Sequence, residues 1–123
     1  MGLYSVSALK AALENGAFDQ SFESLYGNTQ KARARYASLL GRFARDFGED
    51  RRAGFFSAPG RTEIGGNHTD HQHGRVLAAA VGLDIIAAAS PNGDNIIRVH
   101  SEGFEPDAVD LSRMEPQRGE RGR

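Results

Sequence analysis

Up to residue 48 the apolar residues of this chain recur at three- and four-residue steps, and from residue 54 onward they do not. A chain that changes period in this way must join helices to strands within one polypeptide. The strongest helical stripe is Tyr36, Leu39, Leu40, Phe43 and Phe47, which predicts a helix over about 29–47 with Lys31, Arg33, Arg35, Arg42 and Arg45 on other faces. Asn28 can cap its start and Gly48 can close its end. The stripe reads as a core-packing face, and the arginines as a solvated one. An earlier amphipathic helix begins after Ser5 or Ser7 and stops at Asn15-Gly16, and a weaker segment runs through Phe18, Phe22 and Leu25 to Gly27.

Beyond Gly54 the run Gly54-Phe55-Phe56-Ser57-Ala58 predicts a short strand, which Pro59-Gly60 interrupts. The stretch from there to Gly74 reads as a structured loop. Strands are expected over 75–80, 83–89 and 95–100, with Pro91-Asn92-Gly93-Asp94 as the turn between the last two, and Val109-Asp110-Leu111 as a further strand. Helices followed by a run of strands give an α+β fold, N-terminal helices and then a mainly antiparallel sheet. With 123 residues the chain has room for one domain. That domain is expected over 1–112, with 113–123 a loose charged tail. The strands end before a sheet and its covering helices are complete, which predicts exposed apolar edges and marginal stability.

Composition removes several classes of function. A formal net charge of −1 gives no overall attraction to nucleic acid or to an anionic membrane. No apolar stretch approaches the ~18 residues of a membrane span. Cysteine is absent, which excludes disulfides, thiolate catalysis and cysteine-based metal sites. The N-terminus does not begin like a secretory signal, and a cytoplasmic location is the expectation.

The chemistry concentrates in residues 59–74, Pro59-Gly60-Arg61-Thr62-Glu63-Ile64-Gly65-Gly66-Asn67-His68-Thr69-Asp70-His71-Gln72-His73-Gly74. Glycines let the backbone turn sharply or approach a ligand closely, while Glu63, Asn67, His68, Thr69 and Asp70 offer many hydrogen-bonding groups in a short span. Such a loop suits a polyhydroxylated ligand. A carboxylate beside amide and imidazole groups can fix one arrangement of hydroxyls, because a wrong isomer leaves a polar group unpaired.

The segment also resembles the signature of galactokinases, P-G-R-V-N-L-I-G-E-H-T-D-Y followed by Gly and a V-L-P strand. Here the matching residues are Pro59-Gly60-Arg61, Gly66, His68-Thr69-Asp70 and Gly74-Arg75-Val76-Leu77, and the resemblance extends from about Tyr36 to Ser112. It implies an incomplete N-terminal domain of the GHMP kinase superfamily and a fragment of an ATP-dependent sugar 1-kinase, which phosphorylates the anomeric hydroxyl of galactose or a related hexose. By resemblance Asp70 accepts from sugar hydroxyls, Asn67, His68 and Thr69 help to bind the sugar, and Arg61 is catalytic, close to phosphate transfer. ATP and Mg2+ belong to the full-length parent; the glycine- and serine-rich phosphate loop and the catalytic aspartate have no counterpart before Arg123. The fragment alone is expected to bind neither cofactor and to be inactive.

The chain departs from the signature in three places. Its acidic residue before the histidine is Asn67, its V-N-L-I run is Thr62-Glu63-Ile64-Gly65, and its tyrosine after the aspartate is His71. Asn67 lacks the charge that strengthens a hydrogen bond to a hydroxyl, which opens the site to another hexose. Two other readings remain at this level. One is a non-catalytic sugar-binding or regulatory homologue; the other is a metal-binding module built on His68, Asp70, His71 and His73. The cluster lacks a familiar closed-site spacing, so no metal ligand is assigned.

Overall fold

Helix α1 (Val6–Glu14) starts where the Ser5 hydroxyl accepts from the Ala8 N–H at 3.2 Å, and it gives way to Asn15 and to Gly16 at φ +80°. The computed structural model describes residues 2–66 and 73–112. Helix α2 (Asp19–Tyr26) ends at Gly27, which is left-handed at φ +62°. Helix α3 (Thr29–Phe47) opens where the Asn28 side chain accepts from the Lys31 N–H at 2.9 Å, and it closes at Gly48. All three ends are local solutions to the unpaired backbone groups of a helix terminus, so the sequence reading places them well.

The chain divides into two compact units, residues 1–91 and 92–123. In the first, α1 and α2 both pack on α3. The spacing of Val6, Leu9 and Leu13 buries one face of α1, and Ala32, Tyr36, Leu40 and Phe43 bury one face of α3. Each large side chain buried in this way contributes about 1.5–3 kcal/mol relative to leaving it in water. Phe22 stands 4.9 Å from Tyr36 between ring centres, and Tyr36 meets Phe55 edge-on at 5.1 Å. That aromatic chain fastens the helices to the sheet. Leu25 of α2 is exposed.

The sheet of this unit has the order β1-β2-β3, all antiparallel, from β1 (Tyr4–Ser5), β2 (Arg52–Gly65) and β3 (Leu77–Ala89). Here the expectation from sequence needs correction. Pro59-Gly60 does not end the first strand, and Gly82 does not separate two strands; β2 and β3 form one long hairpin with an irregularity in the middle. Pro59 pairs with Asp84 while Arg61 pairs with Ala80, so Val81, Gly82 and Leu83 together face the single residue Gly60. Proline and glycine are tolerated where a bulge has already broken the ladder. A Cβ on Gly60 would lie 3.0 Å from Val81 Cγ2 and 3.3 Å from the Leu83 carbonyl oxygen, which is why the smallest residue sits there.

Alternation about this hairpin gives two unlike faces. Phe55, Ile86 and Ala88 pack against the helical core. Phe56, Leu83, Ile85 and Ile64 are exposed, Ile85 and Leu83 at 77% each, in keeping with the expected exposed apolar surface.

In the second unit, β4 (Ile96–Val99) pairs antiparallel with β5 (Asp107–Asp110), Ile96 opposite Asp110 and Val99 opposite Asp107. The turn at residues 91–94 therefore does not form a hairpin between β3 and β4; its side chains bind forward instead. Asn92 Nδ2 donates to the Ile96 carbonyl at 2.6 Å, and Asp94 Oδ1 accepts from the Ile96 N–H at 2.8 Å. The expected tail, 113–123, lies outside the described residues. Among the described residues no helix is long and apolar enough to cross a membrane.

Candidate functional site

Of the segment 59–74 expected to be a structured loop, Pro59–Gly65 instead continues strand β2, and where β2 ends the backbone comes close to the segment that leads into β3. Gly66 has φ +84°, and a Cβ there would stand 2.2 Å from the Arg75 carbonyl oxygen. Only glycine fits. Just before it the ladder shifts between Glu63 and Gly65, which pair with Ala78 and Leu77, leaving Ile64 as the extra residue. The expected sugar ligands Asn67, His68, Thr69 and Asp70, and His71 with them, lie outside the described residues. His73 is described, and it takes a left-handed φ of +58° on the returning side.

Arg61, expected to be catalytic, lies on β2 opposite Ala80. Its Nη2 donates to Glu63 Oε1 at 3.0 Å. Among the described residues it has no other hydrogen-bond partner, and its side chain is 71% exposed.

Sequence reasoning missed a second polar centre in the same hairpin. Asp84 on β3 accepts from the Tyr26 hydroxyl at 2.7 Å and from the Ser57 hydroxyl at 2.6 Å, both at Oδ2. Its Oδ1 pairs with Arg35 Nη1, while Arg35 Nη2 donates to the Asp84 backbone carbonyl at 2.8 Å. The Tyr26 and Tyr36 hydroxyls stand 2.9 Å apart and share one further hydrogen bond. Helices α2 and α3 and strand β2 thus each give a group to one carboxylate carried by β3. The available signal was Asp84 itself, a lone charge in the apolar run Leu83-Asp84-Ile85-Ile86.

The electrostatics follow from these contacts. Burial opposes ionisation of Asp84, but hydrogen bonds from Ser57, Arg35 and Tyr26, with the Arg35 charge, outweigh it and hold the carboxyl at about 2. The hydrogen bond to Asp84 keeps Arg35 more firmly protonated than usual. Burial, then the bond to Tyr26, pushes the Tyr36 phenol well above its ordinary value. Asp84 is consequently a fixed anion at neutral pH, neutralised by Arg35 and suited to holding strands in place rather than to taking up protons. On α3, Arg33 is also engaged, donating to both oxygens of Asp19 at 2.7 and 2.6 Å. The expected solvated face of that helix in fact ties it to α2 and β3.

Among the described residues no three His, Asp or Glu side chains converge on a metal position. An open groove of about 770 Å³ runs along α1 and α3, lined by Val6, Leu13, Ala37, Gly41 and Ala44 among others. No residue of the hairpin lines it.

Residues 41–91 match the family described as the galactokinase galactose-binding signature. The match covers α3 from Gly41 onward and the whole β2–β3 hairpin with its loop. The chain is 39% identical over 66 residues to galactokinase of Bacillus subtilis, covering 54% of this chain and 17% of that protein. It is 32% identical over 97 residues to galactokinase of Dictyostelium discoideum, 76% of this chain and 19% of the relative. With galactokinase of Streptococcus mutans it shares 43% identity over 63 residues, 51% of this chain and 16% of the relative. The chain therefore spans less than a fifth of the length of these curated relatives. No solved structure gives a significant match.

Proposed function

We propose, for a chain that is galactokinase-like in sequence, that the tip of the β2–β3 hairpin is the sugar-recognition element of an ATP-dependent sugar 1-kinase. The observation that carries this reading is the coincidence of the matched signature, residues 41–91, with a loop whose base is closed by Gly66 against Arg75. Asn67, His68, Thr69 and Asp70 follow directly on this stem in sequence, and several donors and acceptors close together are what selective binding of hydroxyls requires.

In this reading Asp70 accepts hydrogen bonds from sugar hydroxyls. His68, Asn67 and Thr69 complete the contacts, and Asn67 brings an amide in place of a charge. Galactose or a closely related hexose is the ligand. Arg61 projects from the stem two residues from Glu63, and in the whole enzyme its guanidinium neutralises charge as phosphate reaches the anomeric oxygen. ATP, when bound with magnesium, supplies the phosphoryl group. No described residue set fits the metal, so none is assigned to it. This chain binds the sugar, and it works in the cytoplasm.

The test is calorimetric titration of the chain with galactose and with its epimers glucose and talose, alongside Asp70→Ala. Saturable binding of one hexose that Asp70→Ala abolishes supports the reading. Equal binding by the variant and the parent chain places the sugar elsewhere and refutes it.

A further inference from the structure

Arg61 and Glu63 are two residues apart on β2, so alternation puts them on one face of the strand. Opposite them on β3 are Ala80 and Ala78, side chains too short to cover either charge. The two members of the pair differ in exposure. Arg61 is 71% exposed and Glu63 only 26%, while the contact between them is 3.0 Å. The Glu63 carboxylate, on a residue that is exposed as a whole, holds one corner of a planar donor fork, and among the described residues nothing else accepts from that fork.

A phosphate that reaches this fork must displace Glu63 or share the guanidinium with it. Carboxylate and phosphate compete for the same donors and repel each other across them. A neutral polyol meets neither obstacle. We propose that Glu63 is a specificity-determining residue that competes with a ligand's phosphate for Arg61, so that the site favours a free sugar over the same sugar carrying a phosphate. This rests on the sugar-site reading given above. In an enzyme that phosphorylates its ligand, such competition weakens the hold on the product relative to the substrate and hastens its departure.

The size of the effect follows from the exposure of the pair. Exposed ion pairs of this kind shift equilibria by about two- to fivefold, and salt screens them. The experiment measures dissociation constants of the chain for galactose and galactose 1-phosphate, in the parent chain, Glu63→Gln, Arg61→Gln and the double variant. The readout is the ratio of the two affinities, from which any general loss of folded protein cancels. Glu63→Gln is expected to shift the ratio toward the phosphorylated sugar by about two- to fivefold at low salt, and the shift is expected to vanish when Arg61→Gln is also present. An unchanged ratio in Glu63→Gln, with galactose still bound by the parent chain, overturns the inference and leaves the sugar-site reading intact. A shift that persists in the double variant also overturns it, since plain repulsion by Glu63 then suffices. If the parent chain binds neither sugar, the sugar-site reading fails and the inference falls with it.

Discussion

Replacing Asp84 with Asn removes the charge from the carboxylate that four elements share while keeping its shape. The native carboxyl titrates at about 2, against 3.8 for an unperturbed group. Each tenfold change in acidity is worth about 1.4 kcal/mol, so the ionised form is favoured by about 2 kcal/mol in the fold. Asp84 itself is only 10% exposed, but its partner Arg35 is 43% exposed and water screens the pair. The expected loss at pH 7 is therefore about 1–2 kcal/mol. For a unit of this size that lowers Tm by roughly 5–15 °C. Because the folded pKa lies below the unfolded one, the stabilisation is complete above pH 3.8 and is lost as pH falls through about 2. Urea denaturation followed by circular dichroism, at pH 7 and at steps from pH 4 to pH 2, measures both the size and the window. The reasoning is refuted if Asp84→Asn is as stable as the parent chain at pH 7, or if the gap between them stays constant down to pH 2.

Three further outcomes are expected. Tyr36 has a raised pKa from burial and its bond to Tyr26, so folded stability falls as pH rises above 10, and Tyr36→Phe flattens that alkaline limb in the same denaturation assay. Gly66→Ala forces a Cβ against the Arg75 carbonyl at a left-handed φ, which costs about 1–3 kcal/mol if the stem stays closed; thermal unfolding measures it, and calorimetry is expected to show weakened hexose binding. Asn28→Ala removes the side-chain acceptor for the Lys31 N–H and lowers stability by about 1 kcal/mol, read as a shift in urea midpoint with unchanged slope.

What could be read from sequence alone was whatever a few neighbouring residues decide. Ser5, Asn28, Gly27 and Gly48 mark helix ends because capping involves groups within a turn of one another. The stripe through Tyr36, Leu40 and Phe43 faces the core as its spacing requires. The strands were harder, because their extents depend on partners distant in sequence. Pro59-Gly60 and Gly82 look like breakers locally, and only the pairing of β2 with β3 turns them into parts of one bulge. The same cause explains the missing β3–β4 hairpin, since β4 finds its partner in β5. Arg35 and Asp84 are far apart in sequence, and no periodicity announces that they meet. At the candidate site, the need for glycine at position 66 was legible from the glycine spacing, while the pairing of Arg61 with Glu63 required the strand geometry.

The three-against-one mismatch at Gly60 sets the phase of everything beyond it. The part of the hairpin beside the helices is clamped through Asp84, and which β3 residues lie opposite Arg61 and Glu63 depends on how many residues β3 inserts between Ala80 and Asp84. Removing one residue from Val81-Gly82-Leu83 would put Ala78 and Ala80 out of phase with Ile86 and Ala88, so that both arms of β3 could keep their present partners only with a new irregularity. The spacing of those three apolar residues, none of which reacts with anything, thereby decides what the polar end of the hairpin is paired with.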